Sequence, residues 1–307
     1  MLRWQRLLKS ESYQTLDNSI TLETWLNELN FSQSFADEFL YPIWSLMCSA
    51  NPQELKQYPA KALAQIFHSF AGTSESRRIK GGTLELEKQL IKTVNTIHLD
   101  HTVLSVSKNG LGAKVTTNKS QRLYDHVIIA TEPGIAKHFL DESLSHEKAL
   151  LNRVPYRLTD MVMHTDENLM PNKKHNWSAI NMVKGKNQNL WATLWMNTIE
   201  AQDLPFNVFQ SWDPVPDIPE DELLARRTFH RTLLTPDSAN AMAQLTALQK
   251  TDTQENIAPR HIWFAGSYLT EQVPLLEDGV RSARVVTQLI EQQFENSRKN
   301  GPIKKTA

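Results

Sequence analysis

Apolar residues recur at helical spacing through the first quarter of the chain. In "SITLETWLNELNFSQSFADEFLYPIWSLMCSA" the set Leu22, Trp25, Leu26, Leu29 is followed by Phe35, Phe39, Leu40, Ile43, each group falling on one face of a helix. Ser19 or Thr21 is placed to cap the first of these helices, with Glu23 in its favourable first turn. Pro52 opens a further segment. Leu63, Ile66, Phe67 and Phe70 then mark one more helical face, with Gly72 as its stop. After Lys80-Gly81-Gly82 the run "LELEKQLIKTV" predicts an amphipathic helix. The period then shortens to two. "IHL", "TVLSVSKN", "AKVTT" and "RLYDHVIIAT" read as strands, and Asn109-Gly110 reads as a hairpin turn. "HVIIAT" is a continuous apolar run of the kind buried on both faces of a sheet.

Residues 150 to 235 give a second strand-rich stretch, with "LTDMVMHTD", "NLWATLWMN", "FNVFQSW" and "RRTFHRTLL" punctuated by prolines. A mostly antiparallel sheet is expected there, separate from the first core. "PDSANAMAQLTALQ" predicts a helix, "HIWFAG" a buried strand, and the chain closes on a long helix beginning at Glu277-Asp278-Gly279. This last strand and helix are expected beside "HVIIAT", which makes the layout interleaved.

Composition adds exclusions. The 307 residues fit one large α/β unit or two interleaved ones. With 33 basic and 34 acidic residues the net charge is −1, and nothing points to a nucleic-acid partner. A lone cysteine, Cys48, excludes an intramolecular disulfide and fits a reducing, cytoplasmic setting. Its apolar surroundings favour buried packing over a nucleophile. No apolar run approaches the roughly 20 residues of a membrane span, and the first residues lack a signal-peptide pattern. His164, His175 and His230 show no metal-ligand spacing, so no metal site is expected.

The strongest candidate chemistry lies at the end. A helix N-terminus presents free N–H groups and a positive dipole end to an anion. Gly279 removes the Cβ that would block close approach, and Gly266 does the same from the strand "WFAG". Two such glycines suggest a ligand pressed against backbone. The plainer alternative makes Gly279 a turn and Asp278 an N-cap, and the spacing alone leaves both open.

"FAGSY…PLLEDGVRSA" resembles the C-terminal flavin-binding signature of the FAD-dependent amine-oxidase-like superfamily. "FLYPIWSLMCSANPQELKQYPAKALAQIF", "RRIKGGTLELEKQLI", "IHLDHTVLSVSKNG…RLYDHVIIAT" and "LWATLWMN" resemble, in order, other segments of its bacterial predicted NAD/FAD-binding branch. The likeness runs from about residue 20 to 292. It implies an α/β fold: an incomplete Rossmann-like FAD/NAD(P)-binding domain interleaved with a substrate domain of antiparallel sheet plus helices. The implied boundaries are 1–78 for the helical part of the substrate domain, 79–150 for FAD-binding residues and 151–255 for the substrate-domain sheet. Residues 256–298 return to the FAD-binding domain, and 299–307 form a disordered tail.

By the same resemblance, the backbone of Val103 meets the adenine of FAD. Ala130 and Thr131 lie by the pyrophosphate and ribose, and Gly266 and Ser267 approach the ribityl stretch. Asp278, Gly279 and Val280 bring the helix start to the flavin edge. Ser267 departs from the acidic residue that many amine oxidases carry there. Trp44, Trp191 and Trp195 are candidates to line the substrate side, for a small molecule of amine or lipid-like character. Tryptophans in such runs are also ordinary core residues. NAD(P) is a candidate electron donor or acceptor. No catalytic base is evident.

The first half of the expected site is missing. No G-x-G-x-x-G occurs, and "GLGAKV" sits in a hairpin without the third glycine. The expectation is a flavin oxidoreductase lacking its N-terminal dinucleotide-binding fingerprint, whether as a truncated product, through a misplaced start codon, or as one piece of a split protein whose βαβ unit a separate chain supplies. Without that unit the flanking strands would be exposed. The alternative is a non-catalytic remnant, or a partner-dependent module that no longer binds FAD by itself.

Overall fold

The computed structural model describes residues 2–10, 12–71, 77, 79–110, 112–184, 190–200, 204–214, 216–254 and 259–299. The stop expected at Gly72 and the tail 300–307 lie outside these residues. The chain opens with α1 (Leu2–Lys9) and α2 (Leu22–Glu28). Thr21 caps α2, its Oγ1 accepting from Thr24 N at 3.3 Å. The next helical stretch is continuous through α3 (Gln33–Phe35), a π-helical turn (Ala36–Leu40) and α4 (Tyr41–Cys48). Tyr41 N donates to Ala36 O, five residues back. The widened turn makes room for Pro42, whose ring crowds the preceding turn and which has no N–H to give. Ser49 ends α4 in the left-handed conformation. Asn51 and Glu54 then form a capping box on α5 (Pro52–Lys56).

Beyond α6 (Ala60–Ala71) and α7 (Gly82–Ile91), three antiparallel strands follow: β1 (Val103–Asn109), β2 (Gly112–Thr117) and β3 (Gln121–Tyr124). Asn109 pairs with Gly112, so the turn falls one residue later than expected, and Gly110 supplies its positive φ of 53°. "IHL" is not a strand. β4 (Val127–Ile129) leads into α8 (Pro133–Phe139) and α9 (Ser145–Leu151). A second sheet follows with β5 (Tyr156–His164), β6 (Ile180–Lys184), β7 (Leu190–Trp195), the short α10 (Met196–Glu200), β8 (Phe209–Trp212) and β9 (Leu223–Thr232). Its order is β6-β7-β8-β5-β9, antiparallel throughout. The chain closes with α11 (Pro236–Gln254), β10 (Ile262–Phe264) and α12 (Leu276–Lys299).

The chain divides into two interleaved compact units. One takes Met1–Leu16, Lys61–Arg153 and Ala239–Ala307; the other takes Asp17–Ala60 and Val154–Ser238. The helical stretch read as one block, 1–78, is thus shared between them.

In the first unit β4 and β10 pair in parallel, with Ile262 opposite Val127 and Phe264 opposite Ile129. Parallel neighbours so far apart in sequence require a crossover, which here is the whole of the intervening chain. α12 packs on β10 through Val286 and Leu289, which cluster with Trp263 and Ala265. The apolar spacing of Val280, Ala283, Val286, Leu289, Ile290 and Phe294 sets one face of this helix, and the stripe that is buried is rotated from it. Val280 and Phe294 stay exposed, and Ser282 turns inward to meet Gly266 N at 2.9 Å. β4 is not buried on both faces: Ile128 is 47% exposed. α7 has the expected helical form but buries none of its residues.

In the second unit the five-stranded sheet buries Val162, His164, Phe209, Ser211 and Thr193. The polar members of this core bond one another. Ser211 Oγ lies 2.9 Å from His164 Nε2 and 2.7 Å from Thr193 Oγ1.

Candidate functional site

Two places carry chemistry, one in each unit. In the first, the carboxyl ends of a parallel strand pair open toward a helix start, the usual position of a ligand in an α/β sheet. α12 begins at Leu276, one residue before the expected Glu277. Leu275 has no side-chain acceptor for its own N–H. Asp278 supplies one, its Oδ2 accepting from Leu275 N at 3.0 Å. Asp278 is therefore the returning half of a cap, with its own position inside the first turn.

The two glycines have different explanations. A Cβ on Gly266 would stand 2.4 Å from Tyr268 Cε1, so Tyr268 alone requires a glycine there. A Cβ on Gly279 would meet nothing nearer than Ser267 N at 3.7 Å. Among the described residues no neighbour stands in the way of a Cβ at Gly279, and beside it Val280 is 43% exposed. Ala130 and Thr131 are exposed after β4. Val103 is half-buried at the start of β1. The fold thus brings Gly266, Ser267, Asp278 and Gly279 together through Gly266–Ser282 and Gly279–Ser267, while Val103 sits on the separate three-stranded sheet.

The edge of β10 away from β4 is closed by side chains. Gln249 Oε1 accepts from Phe264 N at 2.7 Å, and its Nε2 donates to Phe264 O at 3.3 Å. Arg260 Nε donates to Ile262 O at 2.8 Å, while its Nη2 meets Glu147 at 2.6 Å in a buried ion pair. Gln249 and Arg260 take the backbone groups that a further strand would use.

In the second unit a cavity of about 360 Å³ lies between the α4–α5 corner and the sheet, within the range of small-molecule pockets. Pro42, Leu46, Met182, Leu190 and Trp212 give it apolar wall. Its charged members are committed to each other. Arg157 Nη2 sits 3.0 Å from Asp213 Oδ2, and Arg157 Nη1 sits 3.3 Å from Ser49 O and 3.6 Å from Glu54. Ser49 and Asp213 both hold positive φ, 49° and 46°. Ser45 Oγ, Thr159 Oγ1 and Trp191 Nε1 are buried without a hydrogen-bond partner, and all three residues line the cavity.

Of the three tryptophans picked from the sequence, only Trp191 lines this cavity. Trp44 is fully buried in the core, and Trp195 bonds Asn207 and stacks edge-on with Trp177. Sequence reading missed Ser45, Arg157, Thr159 and Asp213. Only "SWDP", a strand end running into a turn, marked one of them. Cys48 is buried, and burial pushes its thiol up to about 12, against the pull of Arg231. It packs as a small apolar group and is no nucleophile. Burial also lowers His164, with Asp166 opposing. Among the described residues no cluster of three His, Cys, Asp or Glu could hold a metal, and no helix is long and apolar enough to cross a membrane.

A parallel strand pair ending on a helix start, interleaved with an antiparallel sheet that carries its own cavity, is an α/β layout of the kind that holds ligands at its strand ends. The family model of flavin containing amine oxidoreductases matches residues 3–228, and the chain belongs to that family. Its fold is that of the flavin amine oxidases. Cyclohexylamine oxidase from Brevibacterium oxydans superposes with a TM-score of 0.61 at 13% identity, over 96% of this chain and 75% of that one. A CLA-producing fatty acid isomerase from P. acnes gives 0.64 at 12%, over 94% and 74%. A redesigned putrescine oxidase gives 0.64 at 11%, over 94% and 75%. No curated protein sequence matches the chain.

The open Cβ space at Gly279 leaves the start of α12 free to meet a flavin group, whereas no glycine-rich phosphate loop stands among the described residues.

Proposed function

We propose that the protein is the larger part of an FAD-dependent oxidoreductase of the amine-oxidase-like type, acting on a small molecule held in the cavity of the second unit. The observation that carries this reading is Gly279: a glycine at a helix start whose Cβ space no protein atom occupies. Under this reading residues 79–150 and 256–298 serve the cofactor, and 17–60 with 154–238 serve the substrate. When bound, FAD would supply hydride transfer, with NAD(P) a candidate partner in electron exchange. The chain's own part is to set the N-terminus of α12 against the ring, where its dipole favours negative charge. Gly266 and Ser267 would follow the ribityl stretch, Ala130 and Thr131 the pyrophosphate, and Val103 the adenine. The single buried cysteine supports a reducing, cytoplasmic setting.

The phosphate loop has to come from outside these residues. A separate chain bringing a strand and its loop to β10 would have to displace Gln249 and Arg260. Titration of the full chain with FAD, followed by flavin fluorescence and visible absorbance, tests the reading. Saturable quenching that desalting reverses is expected, since only one end of the cofactor is held. A flat titration would leave the second reading, a non-catalytic remnant, which the closed β10 edge favours.

A further inference from the structure

We propose that the open edge of β4 is a docking site for an apolar strand of a partner chain, added parallel to β4. The two edges of the β4–β10 pair differ. In the parallel ladder Val127 N donates to His261 O at 2.8 Å, and Ala265 N donates to Ile129 O at 3.0 Å. Main-chain groups of successive residues face opposite sides of a strand. Val127 and Ile129 therefore turn theirs to β10, and Ile128 turns its own away. By the same alternation Ile262 and Phe264 face the outer side of β10, where Arg260 and Gln249 take them. Nothing does this for β4. Among the described residues the N–H and C=O of Ile128 meet no hydrogen-bond partner, and Ile128 is 47% exposed.

Natural sheets guard a free edge with charge, proline or a bulge. β9, the edge of the other sheet, follows that rule with Arg226, Arg227 and Arg231. β4 is Val-Ile-Ile, without charge, proline or bulge. Two strands are also fewer than a stable sheet ordinarily holds, and parallel strands are ordinarily covered. The direction follows from where the strand ends lie. β4 and β10 finish together, at Ala130 and at Ala265, on the side where Gly266 meets α12 through Ser282. A parallel newcomer finishes there too, and the loop after it falls beside Ala130 and Thr131. An antiparallel one, such as a second copy related by a twofold axis, would deliver that loop to Asp125 and His126 at the opposite end. The identity of the partner rests on the flavin reading: its strand is the one that leads into the phosphate loop. This chain spans 75% of cyclohexylamine oxidase, and the remaining quarter exceeds the roughly 30 residues of a βαβ unit.

The test uses the full chain and a fluorescein-labelled peptide, Lys-Thr-Val-Ile-Val-Gly-amide, read by anisotropy. A fully N-methylated twin has the same side chains and no N–H to give. The plain peptide is expected to saturate the protein, and the twin to bind at least about tenfold more weakly, the scale of one or two lost hydrogen bonds. Ile128→Pro removes the outward N–H and leaves the β10 side of the strand untouched. Binding should vanish in it while the Ala265 amide keeps its exchange protection. Ile128→Lys puts the usual guard on the edge and should weaken binding with the main chain intact. A nitroxide at the C-terminal end of the peptide should broaden the amides of Ala130 and Thr131, not that of His126. No saturation, equal binding by the twin, or unchanged binding by both variants would overturn the proposal. So would broadening at His126, or a dimer of the chain alone that Ile128→Pro dissolves, which would give the edge to a second copy. Peptide binding beside a flat FAD titration would reject the flavin reading alone, and the reverse outcome would reject the docking edge alone.

Discussion

Replacing Gln249 by leucine removes the side chain that closes β10. Gln249 is 2% exposed and Phe264 is fully buried, so water cannot take over. Two bonds are lost together, from Phe264 N at 2.7 Å and to Phe264 O at 3.3 Å. A buried N–H or C=O left unsatisfied costs about 1–3 kcal/mol, while the added apolar side chain returns part of it. The expected loss is about 2–4 kcal/mol in urea unfolding. Gln249→Glu should lie close to it, since a carboxylate can accept from Phe264 N but cannot donate to Phe264 O. The local readout is hydrogen exchange at the Phe264 amide, whose protection should fall in Gln249→Leu and be largely kept in Gln249→Glu. A change within about 0.5 kcal/mol, the range of a neutral surface substitution, with the Phe264 amide still protected, would refute the reasoning. Another group would then be pairing that edge.

Three further outcomes follow from the same geometry. Gly266→Ala should destabilise by about 1–3 kcal/mol, because its Cβ would stand 2.4 Å from the Tyr268 ring, and Tyr268→Leu should recover part of that loss in thermal unfolding. Ser282→Ala leaves Gly266 N without its acceptor and should cost about 1–2 kcal/mol by the same assay. His164 titrates below its ordinary 6.5 because it is buried, so the unfolded chain takes up the proton first as the pH falls. Stability should be complete above about pH 6.5 and decline below it, less steeply in His164→Gln, as urea midpoints across that window would show.

The order of elements was legible wherever the apolar period was strong. α2, α6, α11 and α12, the β1–β2 hairpin and the run that became β10 all stand where the pattern puts them. β6 was missed because "INMVK" is short and mixes polar with apolar residues. "IHL" read as a strand because three residues cannot show which neighbour they have. The exposure of Ile128 was hidden for a related reason: an apolar run records what a strand can bury, not whether a second neighbour is there. The helix start at Asp278-Gly279 was visible from composition. That Tyr268 fills the space beside Gly266 was not, since it depends on a ring folding back two residues along the chain. The cavity was the least visible part. Ser45, Arg157, Thr159 and Asp213 come from three segments, Arg157 and Thr159 sharing β5, that only the sheet register and the α4–α5 corner bring together.

The most direct test of the central claim, that the start of α12 faces a flavin, is FAD titration of Gly279→Leu beside the unaltered chain. No protein atom stands in the way of the new Cβ, and a glycine inside a helix costs roughly 0.5–1 kcal/mol against a good helix former. The variant should therefore be at least as stable as the parent, yet lose the saturable flavin signal. Equal FAD binding by both proteins would mean that Gly279 serves only the turn, and that the flavin, if held, is held elsewhere.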